Sequence, residues 1–429
     1  MKKFLAMRAR SSLTLAWVIC GLTTLFYTYE YLLRIEPGIM VRDLRLYFSL
    51  SAGGIGLLAS MYYWAYTPLQ LVVGLITDRF GARRVLISAI GACVLGTWIF
   101  GLTHSYFIAS GARFLIGAGS AFAFVGALKL AADWLPQKYF SFFVGLCTSL
   151  GMLGAMFGET AMSYVVDHLG WHPVIMDSVW LGFILIGLFL FFVYEKQDLI
   201  ATTKKTNQVN FRDLKKSLFK IASSRTMLQA GFIGCALFLS LSLLAEQWGN
   251  VFIQKVLNSN AQNASYYVDM IFFGWFIGSP FFGFLSEKMA SRKRVLLGGC
   301  ILSLITIIPI ILFPQQLSPV ELATALFLFG FFNSTEINCF SMARDCVDVR
   351  LTATAVGFIN ACVMVGGMIV QPLFGYLLDF FASGYQSVHS SMHYTLHQYQ
   401  MALCIIPIFL VMALAMCCFM KETYSKPRS

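Results

Sequence analysis

Long apolar runs, each about the length of a bilayer-crossing helix and parted by short polar connections, fill most of this chain. They fall at about 13–39, 54–76, 85–103, 107–131, 140–165 and 174–194, and again at about 227–252, 265–285, 295–312, 320–342, 352–378 and 401–420. The pattern predicts an all-α membrane protein with twelve transmembrane helices. Between the two sets, residues 195–225 break the apolar pattern with Lys204, Lys205, Arg212, Lys215, Lys216, Lys220 and Arg225. Within that stretch Phe211, Leu214, Leu218 and Ile221 fall near one helical face, which fits an interfacial helix as well as a solvated linker. The expected organisation is a six-helix half over 1–194, a cytoplasmic linker over 195–225 and a second six-helix half over 226–429.

The two sets are similar to one another. A charged turn, Gly74-Leu75-Ile76-Thr77-Asp78-Arg79-Phe80-Gly81-Ala82-Arg83-Arg84, reappears in degenerate form as Gly283-Phe284-Leu285-Ser286-Glu287-Lys288-Met289-Ala290-Ser291-Arg292-Lys293, 209 residues later. Val144-Gly145 with Gly154 matches Val356-Gly357 with Gly366 at an offset of 212 residues. The halves are therefore expected to be pseudo-symmetric copies.

With 58% apolar residues, 12% charged residues and a mean hydropathy of +0.73 over 429 residues, the chain does not fit a water-soluble protein. Twelve spans and their loops leave no room for a separate soluble domain. The net charge of +11 raises nucleic acid as a partner, but the bases concentrate in alternate loops and the termini. That distribution follows the positive-inside rule, so the partners expected are a lipid bilayer and a small molecule, with no nucleic acid and both termini cytoplasmic. The eleven cysteines lie in the spans or at their cytoplasmic ends, and no disulfide framework is expected. Basic Met1–Arg10 precedes an apolar run that continues through Gly21, Tyr27 and Glu30 without a small-residue cleavage site, so a retained first helix is expected.

No glycine-rich phosphate loop ending in Lys-Ser or Lys-Thr occurs, and every histidine falls in a predicted outward loop, away from any membrane-depth catalytic set. The chain is expected to be neither an enzyme nor an ATP-driven pump, and to need no cofactor. His389, His393 and His397, spaced four apart, would form one helical stripe able to hold a metal or sense acid pH. No Cys or acidic residue accompanies them, and a merely polar loop is the expected reading.

The turn Gly74-x-x-x-Asp78-Arg79-x-Gly81-x-Arg83-Arg84 resembles the signature loop of the major facilitator superfamily, between its second and third transmembrane helices. The resemblance implies the superfamily's fold and alternating access by a secondary transporter, as a monomer of the inner membrane. It also implies a gating role for Gly74, Asp78, Arg79, Gly81, Arg83 and Arg84, for Glu287 in the second copy, and for Arg113 in the fourth-helix start Arg113-x-x-x-Gly117. In that family the acid latches the loop onto a neighbouring helix of the other half in one conformation; a loop whose charges only fix topology is the plainer alternative. The Gly-Pro signature of drug antiporters is missing, since Glu159 follows Gly158. Where anion symporters carry a Glu seven residues after the fourth-helix Arg, this chain has Ser120.

Charges inside spans are costly, so they mark candidate sites. On the first helix Glu30 and Arg34 are four apart and share a face with Tyr27 and Tyr31. Tyr31-Leu32-Leu33-Arg34 resembles the Tyr-x-x-Arg of organic-anion symporters, in which the Arg binds the substrate carboxylate; a pair that only steadies the helix is the alternative. Lys129 on the fourth helix is a candidate for the same site or a snorkelling base. Glu246, Asp269 and Glu336, the last near Asn333 and Asn338, supply acids from the second half. Arg34 facing Glu246 or Glu336 would suit an organic anion or a zwitterion such as an amino acid or short peptide, with protons as coupling ion. Efflux of a siderophore or drug, and sensing without transport, are the competing functions.

Overall fold

The computed structural model describes residues 13–194, 218–347, 351–383 and 394–424. Among them, ten helices are long and apolar enough to cross a membrane, and a bent pair supplies an eleventh. The twelfth is α1, Leu13–Ile39, long enough at 27 residues but loaded with Glu30, Arg34 and Glu36. The others are α2 (Ala52–Leu69), α3 (Ala82–Leu102), α4 (Tyr106–Trp134), α5 (Gln137–Leu169) and α6 (Trp171–Phe192) in the first half. The second half contains α7 (Arg225–Leu257), α8 (Ala261–Lys288), α9 (Arg292–Leu312), α10 (Pro319–Asp345), α11 (Thr354–Ala382) and α12 (Leu396–Phe419). Twelve transmembrane helices in two six-helix halves result, as the apolar runs predict.

One boundary differs from expectation. The run at 54–76 is not a single helix: α2 ends at Leu69 and a separate short helix, Val73–Phe80, carries the signature motif. Pro68 sits in the last turn of α2, where its missing N–H and its ring weaken the ladder. Gly81 follows with φ +86°, a left-handed conformation that glycine adopts at no steric cost and that turns the chain into α3. At the opposite face Val41–Phe48 precedes α2 at a bend of 108°.

The halves meet where α2 packs on α11, α5 on α8 and α1 on α7. Backbones come very close there: a Cβ on Gly38 of α1 would lie 2.2 Å from the Glu246 carbonyl of α7. Three spanning helices are irregular in their middles. α7 is π-helical over Ser240–Trp248, α10 tightens to a 3-10 turn over Ser334–Glu336, and α11 is π-helical over Gly366–Val370. Irregular turns of this kind often accompany functional sites, because they re-aim side chains out of the regular register.

The linker beyond residue 217 begins the described part of the second half as a helical turn over 218–222, with Ile221 buried. The rest of the expected interfacial helix, Phe211 and Leu214 included, lies outside the described residues, as do His389 and His393.

Candidate functional site

Four residues on α1, one turn apart in steps, converge on a single polar cluster. Arg34 is 4% exposed and pairs with Glu30 of the preceding turn, as the four-residue spacing leads one to expect. The Tyr31 ring lies under the guanidinium, 4.5 Å from its carbon, and Tyr27 touches Tyr31 hydroxyl to hydroxyl at 3.5 Å. A buried guanidinium is costly without partners, and here carboxylates and aromatic faces share the compensation.

The rest of the cluster comes from α2, through Tyr62, Tyr63 and Tyr66, which carry no charge to mark them in the sequence. Tyr62 accepts from Arg34 Nε at 3.4 Å and donates to Glu30 Oε1 at 2.6 Å, so it fixes both members of the pair. The Tyr66 ring lies 5.2 Å from the guanidinium. Tyr63 reaches across to the other half and donates to Glu246. Their signal in the sequence is Tyr62-Tyr63-x-x-Tyr66, three phenol hydroxyls within little more than one turn of a largely apolar helix.

Glu246, on the π-helical segment of α7, is 2% exposed, and its Oε1 lies 3.6 Å from Arg34 Nη1. That is an ion pair beyond hydrogen-bond length. Arg34 Nη1 and Glu246 Oε1 are both sealed from solvent without a hydrogen-bond partner, as is Glu30 Oε2. One guanidinium thus faces two carboxylates, one from each half. An anion arriving at Nη1 would find a donor not yet committed to a hydrogen bond.

Glu336, the other acid proposed for this wall, is buried on the 3-10 turn of α10, which packs against α7, α8 and α9. It forms no ion pair among the described residues. Lys129 does not join Arg34 either. Its Nζ lies 3.1 Å from Asp78 of the signature motif and 3.8 Å from Asp133. The helix Val73–Phe80 packs against the end of α4 and brings Asp78 to Lys129 of its own half in this conformation.

Among the remaining motif residues, Arg79 lies over the Phe80 ring at 5.4 Å, and Arg83 donates to the Leu190 carbonyl at 3.1 Å. Arg84 borders an apolar groove of about 460 Å³ with Ile76, Phe80 and Phe122, while Gly74 leaves open space beside it. Arg113 is fully buried, donates to the Leu33 carbonyl at 2.6 Å and lies over Tyr62, bracing α1 from α4. Glu36 is buried on the same side and accepts from Ser178 of α6 at 2.5 Å.

The second copy of the motif is clamped more deeply. Arg292 is buried, 3.6 Å from Glu287 and 3.3 Å from Asp345, and donates to Ser286 at 2.5 Å. The histidines serve local contacts: His104 meets the Tyr47 hydroxyl at 2.7 Å and His172 the Gly101 carbonyl at 2.9 Å. His397 lies on the first turns of α12.

Comparison with known proteins agrees with this arrangement. The model of the family described as Major Facilitator Superfamily matches residues 18–371 and again 253–429. A probable sulfoacetate transporter, SauU of Cupriavidus necator, is 23% identical over 385 residues, covering 84% of this chain and 87% of that protein. A cis,cis-muconate transport protein of Acinetobacter baylyi is 22% identical, over 79% of this chain and 81% of its own. Among solved structures, a bacterial homolog of the human lysosomal transporter Spinster, inward-facing and occupied, superposes with a TM-score of 0.74 at 15% identity, covering 94% of this chain and 96% of that one.

Proposed function

The chain belongs to the Major Facilitator Superfamily, and we propose that it carries small organic anions bearing a carboxylate or sulfonate, coupled to protons. Transport and not catalysis is its activity. The observation that carries the anion reading is the geometry at Arg34, whose Nη1 points at Glu246 across the seam without a hydrogen bond. A carboxylate presents two oxygens to a guanidinium fork, and in doing so takes the place that Glu246 occupies.

Displacing Glu246 from Arg34 leaves a buried carboxylate held only by Tyr63. Burying it ionised and unpaired is expensive, so it takes up a proton from water as the substrate binds. When the substrate leaves, the proton leaves with it and Glu246 returns to Arg34. One proton thus accompanies each bound anion. The organic anions named for the two relatives, sulfoacetate and muconate, support this class. Asp78 and Lys129 would act on the same cycle from the face that carries the signature loops, by weighting one conformation of the first half. We place that face in the cytoplasm with both termini; reporter fusions after Glu195 and Ser429 should report cytoplasm, and one in the His389 loop the outside.

The test is uptake and counterflow in liposomes with labelled sulfoacetate, muconate and proline. Exchange of either anion with proline inert supports the proposal. A zwitterion needs no proton on Glu246, because its ammonium could sit there while its carboxylate takes Arg34. Exchange of proline alone would therefore overturn the anion reading, and binding without movement would point to a sensor.

A further inference from the structure

At the face opposite the signature loops the halves are shut against one another, and the closing contacts repeat across the pseudo-symmetry. Asp379, near the end of α11, accepts from the first two amides of α2: Oδ1 from Ala52 at 3.1 Å and Oδ2 from Gly53 at 2.8 Å. Asp167, near the end of α5, accepts from the Gln262 amide in the first turn of α8 at 2.9 Å. In each case the acid belongs to one half and the helix start to the other. Asp167 and Asp379 are 212 residues apart, the offset of Val144-Gly145 from Val356-Gly357. Gly53 and Gln262 are 209 apart, the offset of the signature loops.

The first amides of a helix have no partner within it, and local caps satisfy only some of them. Ser51 takes the Gly54 amide at 3.2 Å, and Asn260 takes the Asn263 amide at 3.1 Å. The carboxylates from across the seam fill amides that these local caps leave free, and their charge suits the positive end of the helix. Tyr394 reinforces one copy: its hydroxyl accepts from the Ala52 amide at 3.0 Å and donates to Asp379, and Arg45 of the first half lies 4.5 Å over its ring. Gly53 makes the approach possible, since a Cβ there would lie 2.5 Å from the Tyr376 ring and 3.0 Å from Asp379 Oδ2. Just inside, Asn250 donates to Glu159 at 2.9 Å and Thr160 to Asp269, so the seam is polar on the α5–α8 side as well.

We propose that Asp167 and Asp379 form a paired latch in which each half caps a helix of the other, holding this face closed and releasing both caps together when it opens. Water can take over the freed amides and carboxylates at an open face, so the latch biases the closed state and still lets go. Asp167 and Asp379 act as positioning residues and touch no substrate. The inference rests on the two halves moving apart, and is independent of which substrate Arg34 takes.

Hydrogen–deuterium exchange on the full-length protein in nanodiscs tests it. Asp379→Ala removes the cap on α2 only, yet a shared latch predicts that exchange rises roughly tenfold at the start of α8, residues 262–268, a coupling of ordinary size. Asp167→Ala should do the same at residues 52–58. Gly53→Ala keeps both acids and wedges the seam, and should reproduce the rise at 262–268 if the acid variants are not recovered folded. Faster exchange confined in each variant to the helix whose own cap was altered would overturn the proposal.

Discussion

Arg34 of α1 and Glu246 of α7 face each other across the seam between the halves, Nη1 to Oε1 at 3.6 Å, each also held by a group that belongs to the first half. Arg34 is tied to Glu30 and Glu246 to Tyr63. The contact therefore joins the halves through charge while leaving a donor and an acceptor uncommitted. An anion that binds here has to alter the pairing of both halves at once. That is how binding can bias alternating access, since a ligand shifts a conformational balance only by differential contacts.

Tyr63 sets how strongly Glu246 competes for Arg34. Tyr63→Phe removes the hydroxyl that holds the carboxylate, a hydrogen bond to a charged group worth about 1.5–3 kcal/mol. Glu246 then leans on Arg34, and the half-saturation concentration for anion uptake should rise roughly tenfold while the maximal rate changes little. Initial rates over a concentration series read both, and unchanged half-saturation would count against competition.

The Asp78–Lys129 bridge is partly exposed, at 59% and 35% for the two side chains, which limits its contribution to about 0–1 kcal/mol. Asp78→Asn and Lys129→Gln should each leave the melting temperature nearly unchanged and slow transport several-fold. The charge swap Asp78→Lys with Lys129→Asp should recover much of the rate. Wild-type turnover in both single variants would show that the bridge has no part in the cycle.

Much of this was legible in the sequence because bilayer length and helical spacing are local rules. The α1 bounds, Glu30 with Arg34, and the repeated signature loop follow from them. Partners across the seam follow only in part: charge placement sets Glu246 or Glu336 opposite Arg34 without choosing between them. Glu246 reaches Arg34 on a π-helical turn, Ser240–Trp248, whose altered phase an apolar pattern does not encode. The charge of Lys129 fits the substrate site or a snorkelling base equally, and the break after Leu69 is what carries Asp78 to it. Asp167 and Asp379 stand near helix ends, where nothing local encodes a partner, and only the assembled halves show which amides they cap.

Glu422, beyond the end of α12, caps the start of α9 by accepting from Ser291 and from the Arg292 amide at 3.0 Å. Burial works to raise its carboxyl, but hydrogen bonds from Ser291 and from the amides of Tyr424, Arg292 and Thr423 outweigh this and hold it below the usual value. A lowered folded-state value stabilises above the unfolded value of about 4.3 and is lost as pH falls through the folded one. Glu422 is exposed, so screening limits the effect: Glu422→Gln should cost less than about 1 kcal/mol at pH 7 and progressively less in acid. Melting curves of wild type and variant from pH 7 to 3 should converge; a constant gap would contradict the capping role.

The most direct test of the central claim, that a substrate anion takes Arg34 from Glu246, compares counterflow with proton-driven accumulation in liposomes. Counterflow needs binding and reorientation but no net proton movement. Glu246→Gln is already neutral, so it should keep anion counterflow and lose accumulation driven by a pH gradient. Arg34→Lys keeps the charge without the planar fork and should lose most of both. Wild-type counterflow in Arg34→Lys and Arg34→Ala, or gradient-driven accumulation undiminished in Glu246→Gln, would contradict the account.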